Sequence, residues 1–451
     1  MDSSIRDLLD DTTGKMFRDP VWGYMTLPDA MVRIVDTPEF QRLRGISQLG
    51  HVALVYPGAR HSRFEHSLGV FHLAKRFLTK VLQSTPPLVL GEEDVKVFLA
   101  AALLHDIGHY PFSHLLEEMP LFFGPHEHRG RTVIERQEGA IYEVLSEELG
   151  VNPVRVANVI DYRTTERDIP ETDLLLANIL SGTLDPDKID YLLRDALYCG
   201  VPFGGSVNKD RLINSIKFDP VRKRLAITHK GIDAVEALIF TNYLMYRNVY
   251  WHHTVRAAST MFKRAIEDLL VEPGCRLTPN DFEGVSENEM LTIVEAEVRR
   301  LHVDRAEWLL NNVAERRLYK VARIFYPHEK RQAFVHYFYD LYHNPTRRRA
   351  KEIELCQVFS QKVGVPLAGH EILIDIPKFD KSPEIDLKVF FGAAIPVDRD
   401  DPLSFDDPEV TVLTTSLTDN FETHAKIFRI FCIDNDELRE SLKRDVKKYM
   451  V

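Results

Sequence analysis

The sequence predicts a mainly α protein, with a large helical core and a small α+β C-terminal region. Three observations predict it. Helical periodicity begins near Pro28 and persists through most of the first 350 residues. Val97–Leu104 (VFLAAALL) has no polar residue, the mark of a helix buried on every side. From about Leu367 the pattern changes to short strand-like runs separated by a segment rich in Pro, Asp and Lys. The expected division is therefore a helical core over 1–350 and an α+β region over 351–451, the latter a candidate for assembly or regulation. With 44% hydrophobic and 28% charged residues, the 451-residue composition is that of an ordinary globular protein.

Taken in order, Asp19–Gly23 reads as a turn and Gly23–Leu27 as a short strand. Thr37 can cap a helix that starts at Pro38, where Pro suits the first turn and Glu39 is acidic. Further helices are expected at Ser62–Gln83, Gly91–His105, His126–Leu149, Asp173–Ser181, Ile189–Cys199 and Ile232–Leu270. Arg222–His229 reads as a strand, while Asn280–Val313 and Glu329–Gly364 read as interrupted helices. In the tail, Glu371–Ile376, Val410–Thr414 and Lys426–Cys432 read as strands ahead of a charged terminal helix, and Pro377–Pro408 reads as loops.

A formal net charge of −11 excludes a broad polyanion-binding surface, so any phosphate site must be a local basic pocket. Neither a membrane nor a nucleic-acid partner is expected. Cys199, Cys275, Cys356 and Cys432 form no CxxC pair, which fits a reducing cytoplasm better than a disulfide framework. Met1–Lys15 carries four aspartates and lacks the apolar run of a targeting peptide.

The chemistry concentrates at His105-Asp106, which ends the apolar helix. A buried carboxylate beside an imidazole is expensive unless a cation or a network pairs it. His66, in RFEHSLG, and Asp187, in DPDKIDYLLRD, are further candidate ligands on other helices. Each alone reads more simply as a structural histidine or a helix cap. Two imidazoles and two carboxylates would suit Mn, Fe, Ni, Zn or Mg, with nitrogen favouring a transition metal. His109, His114, His126 and His128 follow, either as a histidine-rich loop or as protonatable groups beside a metal.

RFEHSLG, LLHDIGHYPFSH, HEHRG and DPDKIDYLLRD, with the flanks RDPVWGYMTL, VRIVDTPEFQRLRGISQLG and VYPGARHSRFEHSLGV, resemble the HD-domain deoxynucleoside triphosphate triphosphohydrolases. The likeness is to the branch of the vertebrate sterile-alpha-motif/HD-domain dNTPase and its bacterial relatives. It covers roughly residues 15–350, with the HD motifs between about 62 and 200. It implies a helical HD core holding one divalent metal on His66, His105, Asp106 and Asp187, with Asp187 rather than Asp190 as the ligand because the motif puts it directly before Lys188. It also implies a second Mg travelling with the nucleotide phosphates. The implied reaction cleaves a dNTP into deoxynucleoside and inorganic triphosphate, with His114 as general acid. His109 and His126 match its active-site neighbours, and Glu117 stands where the family often has Asp. By the same resemblance Arg63 and Lys188 hold the triphosphate, Tyr191 and Asp195 contact the sugar, Gln48 and Leu49 crowd it against a ribose, and Tyr250 packs near the nucleoside. A substrate-contacting arginine of the vertebrate enzyme is replaced near Asn242.

The resemblance extends to an effector site between subunits, with Lys15, Asp36, Gln41, Arg44, Arg316 and Lys320 in the matching positions. It implies a dGTP, GTP or dNTP activator and a homo-oligomer, from dimer to tetramer or hexamer. An ordinary interface ion-pair cluster is the competing explanation for those six residues. Two rival functions stand beside the hydrolase reading. One is an HD-family phosphodiesterase or phosphatase acting on another nucleotide. The other is a catalytically silent nucleotide-sensing module.

Overall fold

Ser62 opens the first long helix, α1 (Arg63–Leu82), where the Glu65 carboxylate accepts from the Ser62 backbone N–H at 2.8 Å. The computed structural model describes residues 3–10, 14–84, 88–163, 165, 168–325, 332–378, 386–391, 402–414 and 427–450. The second long helix, α2 (Glu92–Leu104), carries three acidic residues in its first turn, and Val97–Leu104 is fully buried as its sequence requires. The chain continues through α3 (His114–Glu117), α4 (His126–Ile134), α5 (Pro153–Ile160), α6 (Glu171–Leu180) and α7 (Pro186–Cys199). Beyond these lie α8 (Ile232–Met245), α9 (His253–Leu270), α10 (Glu287–Leu301), α11 (Asp304–Ala314), α12 (Gln332–His343), α13 (Pro345–Val363) and α14 (Asp436–Asp445). The protein is mainly α with small strand regions, as predicted.

Several boundaries differ from the sequence reading, each for a local reason. The helix expected over His126–Leu149 stops at Ile134, and a new turn begins at Ala140, whose N–H is capped by the distant Glu39 carboxylate at 3.0 Å. The single helix expected over Ile232–Leu270 is two, because His252 leaves the helical conformation and its ring accepts from Thr254 N–H as the cap of α9. Helix α7 starts three residues earlier than expected. The Asp185 side chain accepts from Lys188 N–H and Pro186 fills the first position, so Asp187 lies in the first turn. Residues 329–331 of the expected 329–364 helix, and Lys426 of the last expected strand, lie outside the described residues.

The strands, in chain order, are β1 (Lys15–Asp19), β2 (Gly23–Leu27), β3 (Ile216–Asp219), β4 (Arg224–Thr228), β5 (Lys320–Phe325), β6 (Ile372–Asp375), β7 (Lys388–Phe390), β8 (Leu403–Ser404) and β9 (Phe428–Cys432). The first two form a hairpin. Four build a sheet in the order β3-β4-β7-β8, with β4 and β7 parallel, and three build an antiparallel sheet in the order β5-β9-β6. The strand expected at Val410–Thr414 is instead a turn. Val410 and Thr411 donate back to the Asp407 carbonyl, and the Thr411 hydroxyl donates to Glu236 of α8. Strands from both sides of residue 350 share two of the three sheets. One apolar core joins Ala322 and Phe325 to Phe359, Ile374 and Ile430, so a division at 350 runs through common packing.

A buried ion network fastens the tail to the rest. Arg256 of α9 grips Glu118, just after α3, at 2.8 Å and Asp375 of β6 at 2.5 Å, and Lys263 also reaches Glu118. Burial would raise the Glu118 carboxyl, but Arg256 and Lys263 outweigh it and hold it down at about 2. A depressed folded pKa stabilises the fold above the unfolded carboxylate value near 4.5, and that contribution is lost as the pH falls through about 2. We expect stability to drop across that window in acid titrations followed by circular dichroism. Glu118→Gln should cost about 3–5 kcal/mol at neutral pH, as loss of one partner of a buried pair does, and should flatten the acid limb. An unchanged acid limb would remove Glu118 from the account.

Candidate metal centre and active site

Three separate helices deliver the predicted ligands. His66 comes from the first turns of α1, His105 and Asp106 from the end of α2, and Asp187 from the first turn of α7. His66 Nε2 lies 2.9 Å from Asp187 Oδ1 and 3.3 Å from His105 Nε2, while His105 Nε2 lies 3.7 Å from Asp187 Oδ1. Asp106 borders this three-residue group with its oxygens divided, Oδ1 3.4 Å from His105 Nε2 and Oδ2 3.6 Å from His66 Nε2, while Arg63 holds Oδ2. An ion about 2.1 Å from each donor would span donor–donor edges of roughly 3.0–3.5 Å, and the observed spacings bracket that range.

The hydrogen bonds on the far side of each ring sharpen the fit. His105 Nδ1 faces the Ala102 carbonyl at 3.0 Å and His66 Nδ1 faces Asp190 Oδ2 at 2.8 Å. Both are acceptors, so each Nδ1 carries the proton and each Nε2 turns a lone pair toward the other. Two lone pairs 3.3 Å apart, ringed by carboxylates, call for a cation between them. Without a cation the same place takes a proton: burial would depress the His66 imidazole, but its bonds to Asp187 and Asp190 and the charge of Asp106 push it up to about 10, so a metal would replace the proton on Nε2. The set therefore fits a divalent metal.

Asp190 is in the site but is not a candidate ligand. It lies behind His66, where Arg194 holds both of its oxygens and Trp22 Nε1 donates to Oδ1 at 2.6 Å. Arg194 in turn reaches Asp19 at 2.6 Å. This chain of contacts orients the imidazole, as carboxylates behind metal-binding histidines do. Helices α1 and α7 come close enough for it only because residue 69 is glycine. A Cβ there would sit 1.9 Å from Asp190 Oδ1.

A second cluster lies alongside. Glu117 Oε2 is 3.0 Å from His114 Nδ1, and Oε1 is 2.8 Å from His126 Nδ1 and 3.7 Å from His109 Nδ1. The longer Glu side chain thus reaches all three rings. Burial would raise the Glu117 carboxyl, yet His126 and His114 keep it well below the usual range, so it is ionised. Burial would lower His126, but Glu117 lifts it to about 9. Burial, Arg63 and His126 depress His109 strongly, so that ring is neutral; its Nε2 lies 3.1 Å from Asp106 Oδ1 and links the clusters. His114 is the exposed member, with 66% of its side chain open to solvent. Gly108 allows α4 to approach, since a Cβ there would lie 2.0 Å from the His126 carbonyl oxygen. The backbone ahead of His114 is strained, with Phe112 and Ser113 both at positive φ.

The predicted substrate residues surround these clusters. Arg63 donates to Asp106 Oδ2 at 2.5 Å and to Ser113 Oγ at 2.6 Å, and its buried Nη2 has no partner among the described residues. The buried Gln48 Oε1 has none either, and Leu49 beside it packs on the main core. Lys188 bonds Asp185 and the Thr183 carbonyl within its own helix start. Asp195 is engaged on both oxygens, by His61 Nε2 and by the Tyr250 hydroxyl, each at 2.7 Å, and Tyr191 stacks edge-on to Tyr250. His61 escaped the sequence reading, and Asp190 was considered there only to be set aside as a ligand; its place four residues before Arg194 was a local signal for the role behind His66.

The six effector candidates are more dispersed. Arg44 donates to Gln41 at 2.8 Å and stacks on Phe64, and Asp36 is exposed nearby in sequence. Lys15 lies over Phe17, Arg316 bonds the Leu54 carbonyl at 3.1 Å, and Lys320 faces Asp434 at 3.6 Å. No described helix is long and apolar enough to cross a membrane, and all four described cysteines are free.

Residues 63–194 match the HD domain family, and residues 207–397 match the HD associated region. The uncharacterized protein YwfO of Bacillus subtilis is 35% identical over 253 residues, covering 56% of this chain and 55% of that protein. A Dictyostelium discoideum deoxynucleoside triphosphate triphosphohydrolase SAMHD1 homolog is 28% identical over 314 residues, covering 68% of this chain and 60% of the homolog. Human deoxynucleoside triphosphate triphosphohydrolase SAMHD1 is 32% identical over 280 residues, 56% of this chain and 44% of the human protein. The chain thus spans about half the length of these curated relatives.

Proposed function

We propose that the chain, which matches the HD domain over residues 63–194 and the HD associated region over residues 207–397, is a phosphohydrolase that hydrolyses deoxynucleoside triphosphates to deoxynucleoside and inorganic triphosphate. The observation that carries this reading is the convergence of His66, His105 and Asp187, with Asp106 at their edge, beside the Glu117-bridged histidines. The names of the Dictyostelium and human relatives support the substrate class.

A divalent ion on the four ligands would supply positive charge at the α-phosphate and an acidified water as nucleophile. The remaining work falls to the chain. The buried edge of Arg63 faces no protein acceptor and is suited to a phosphate oxygen. Cleavage at the 5′ oxygen releases a sugar alkoxide, which needs a proton as it leaves. His114 is the donor in this reading: ionised Glu117 fixes its Nδ1, so the opposite nitrogen of an exposed ring can meet the leaving oxygen. His126 holds the carboxylate in place, its backbone N–H donating to Glu117 Oε1 at 3.2 Å and its Nδ1 lying 2.8 Å from the same oxygen. Gln48, Leu49, Tyr191 and Tyr250 are proposed to enclose the sugar and base, with Lys188 and Asp195 redirected from their present partners when a nucleotide binds.

The test is incubation with each dNTP and NTP, plus Mn or Mg, with products resolved by anion exchange. Release of inorganic triphosphate from dNTPs is the expected result. Pyrophosphate, monophosphate or preferred NTP turnover would replace the reading by the phosphodiesterase or phosphatase alternative. Repeating the assay with GTP or dGTP added tests activation through Lys15, Asp36, Gln41, Arg44, Arg316 and Lys320, and equal rates would remove that part.

A further inference from the structure

Glu287 opens α10, far in sequence from the HD motifs, yet its carboxylate reaches the segments beside the metal centre. Its Oε1 accepts from Ser47 N–H at 3.1 Å, from the Ser47 hydroxyl at 2.6 Å and from Phe112 N–H at 3.2 Å. Ser47 directly precedes Gln48 and Leu49. Phe112 stands two residues before His114.

The Phe112–Ser113 pair needs such a restraint. Their φ values are 58° and 52°, two consecutive non-glycine residues at positive φ, sparsely populated conformations that cost about 1–3 kcal/mol each. Glu287 holds the first through its N–H. The second is held through its hydroxyl, which receives Arg63 Nε at 2.6 Å and donates to the Ser47 carbonyl at 3.2 Å. Arg63 then bonds Asp106, a metal-ligand candidate. The contacts run without a gap from Glu287 through Ser47, Ser113 and Arg63 to Asp106.

Helix capping does not account for Glu287. Ser286 and Glu289 already form the capping box of α10, with the Glu289 carboxylate accepting from Ser286 N–H at 2.7 Å. Glu287 is left to act outside its own helix.

We propose that Glu287 is a positioning residue, contributed by the HD-associated region, whose single oxygen holds the Ser47–Leu49 segment and the strained turn ahead of His114 in one register. Its kinetic consequence rests on the hydrolase reading above; its structural consequence does not. Glutamine keeps an oxygen in that place, and alanine takes the acceptor from two half-buried N–H groups and a hydroxyl.

The test compares full-length Glu287→Ala, Glu287→Gln and Glu289→Ala, the last breaking only the cap. Hydrogen–deuterium exchange is followed in peptides covering residues 45–50 and 110–118, with metal content and, for dATP with Mn, kcat and KM. Glu287→Ala should exchange faster in both peptides and lose roughly 10–100-fold in kcat, with KM within about threefold and metal content unchanged, since a misplacement of about 1 Å costs that much. Glu287→Gln should match the parent, and Glu289→Ala should keep the parent kcat. Parental exchange in both peptides of Glu287→Ala, or an equal kcat loss in Glu289→Ala, would overturn the proposal. If the parent turns over no nucleotide, the hydrolase reading fails and the exchange data alone decide the role of Glu287.

Discussion

His114→Ala should lower turnover by roughly 10²–10⁴-fold, the contribution of a general acid to expulsion of a poor leaving group. His114 is absent from the metal set of His66, His105, Asp106 and Asp187, and its ring is tied to Glu117 at 3.0 Å. Removing it should leave metal content, KM and thermal stability close to parental, because the side chain is mostly exposed. The loss should be confined to kcat and to kcat/KM equally, the signature of an interaction made only in the transition state. A His114→Ala protein that turns over dNTPs at the parental rate would show that another group protonates the leaving oxygen.

The second large effect is expected at the metal ligands, and it separates two residues adjacent in sequence. His105→Ala should empty the site and abolish turnover at little cost to the fold, since its far nitrogen bonds only the Ala102 carbonyl and the side chain is at the edge of the buried region. Asp106→Ala should empty the site as well, but it also removes the carboxylate that neutralises the fully buried Arg63 and contacts His109. Breaking a buried ion pair by removing one partner costs about 3–5 kcal/mol, so Asp106→Ala should unfold many degrees below His105→Ala. Elemental analysis and calorimetry on both proteins give the comparison. Metal retained by either variant at parental stoichiometry would take that residue out of the ligand set.

Much of the site was legible because its members are carried by strongly local signals. The unbroken apolar run before His105 and the helix expected from Ser62 place two of the helices that bear them, whereas the start of α7 at Pro186, which puts Asp187 in its first turn, was expected only from Ile189. The interruptions were less legible. The break after Ile134 depends on Glu39, about a hundred residues earlier, which caps Ala140, and the expected strand at Val410–Thr414 became a turn docked on α8 through Glu236. Periodicity cannot register a cap supplied from elsewhere in the chain.

By itself, then, the sequence determined the long helices that carry the HD motifs, a buried histidine–aspartate pair among them, and the side chains of the right chemistry near their ends. Only the tertiary structure decided what those side chains face. Asp187 and Asp190 sit three positions apart on one helix, yet packing of α7 against α1 turns the first toward the shared Nε2 side of His66 and puts the second behind it with Arg194. Glu287 is an unremarked acidic residue until the fold places it on Ser47 and Phe112. The physical reason is common to both cases. A carboxylate's role is set by the donors and charges within a few ångströms of it after burial, and those arrive from helices that only long-range packing brings together.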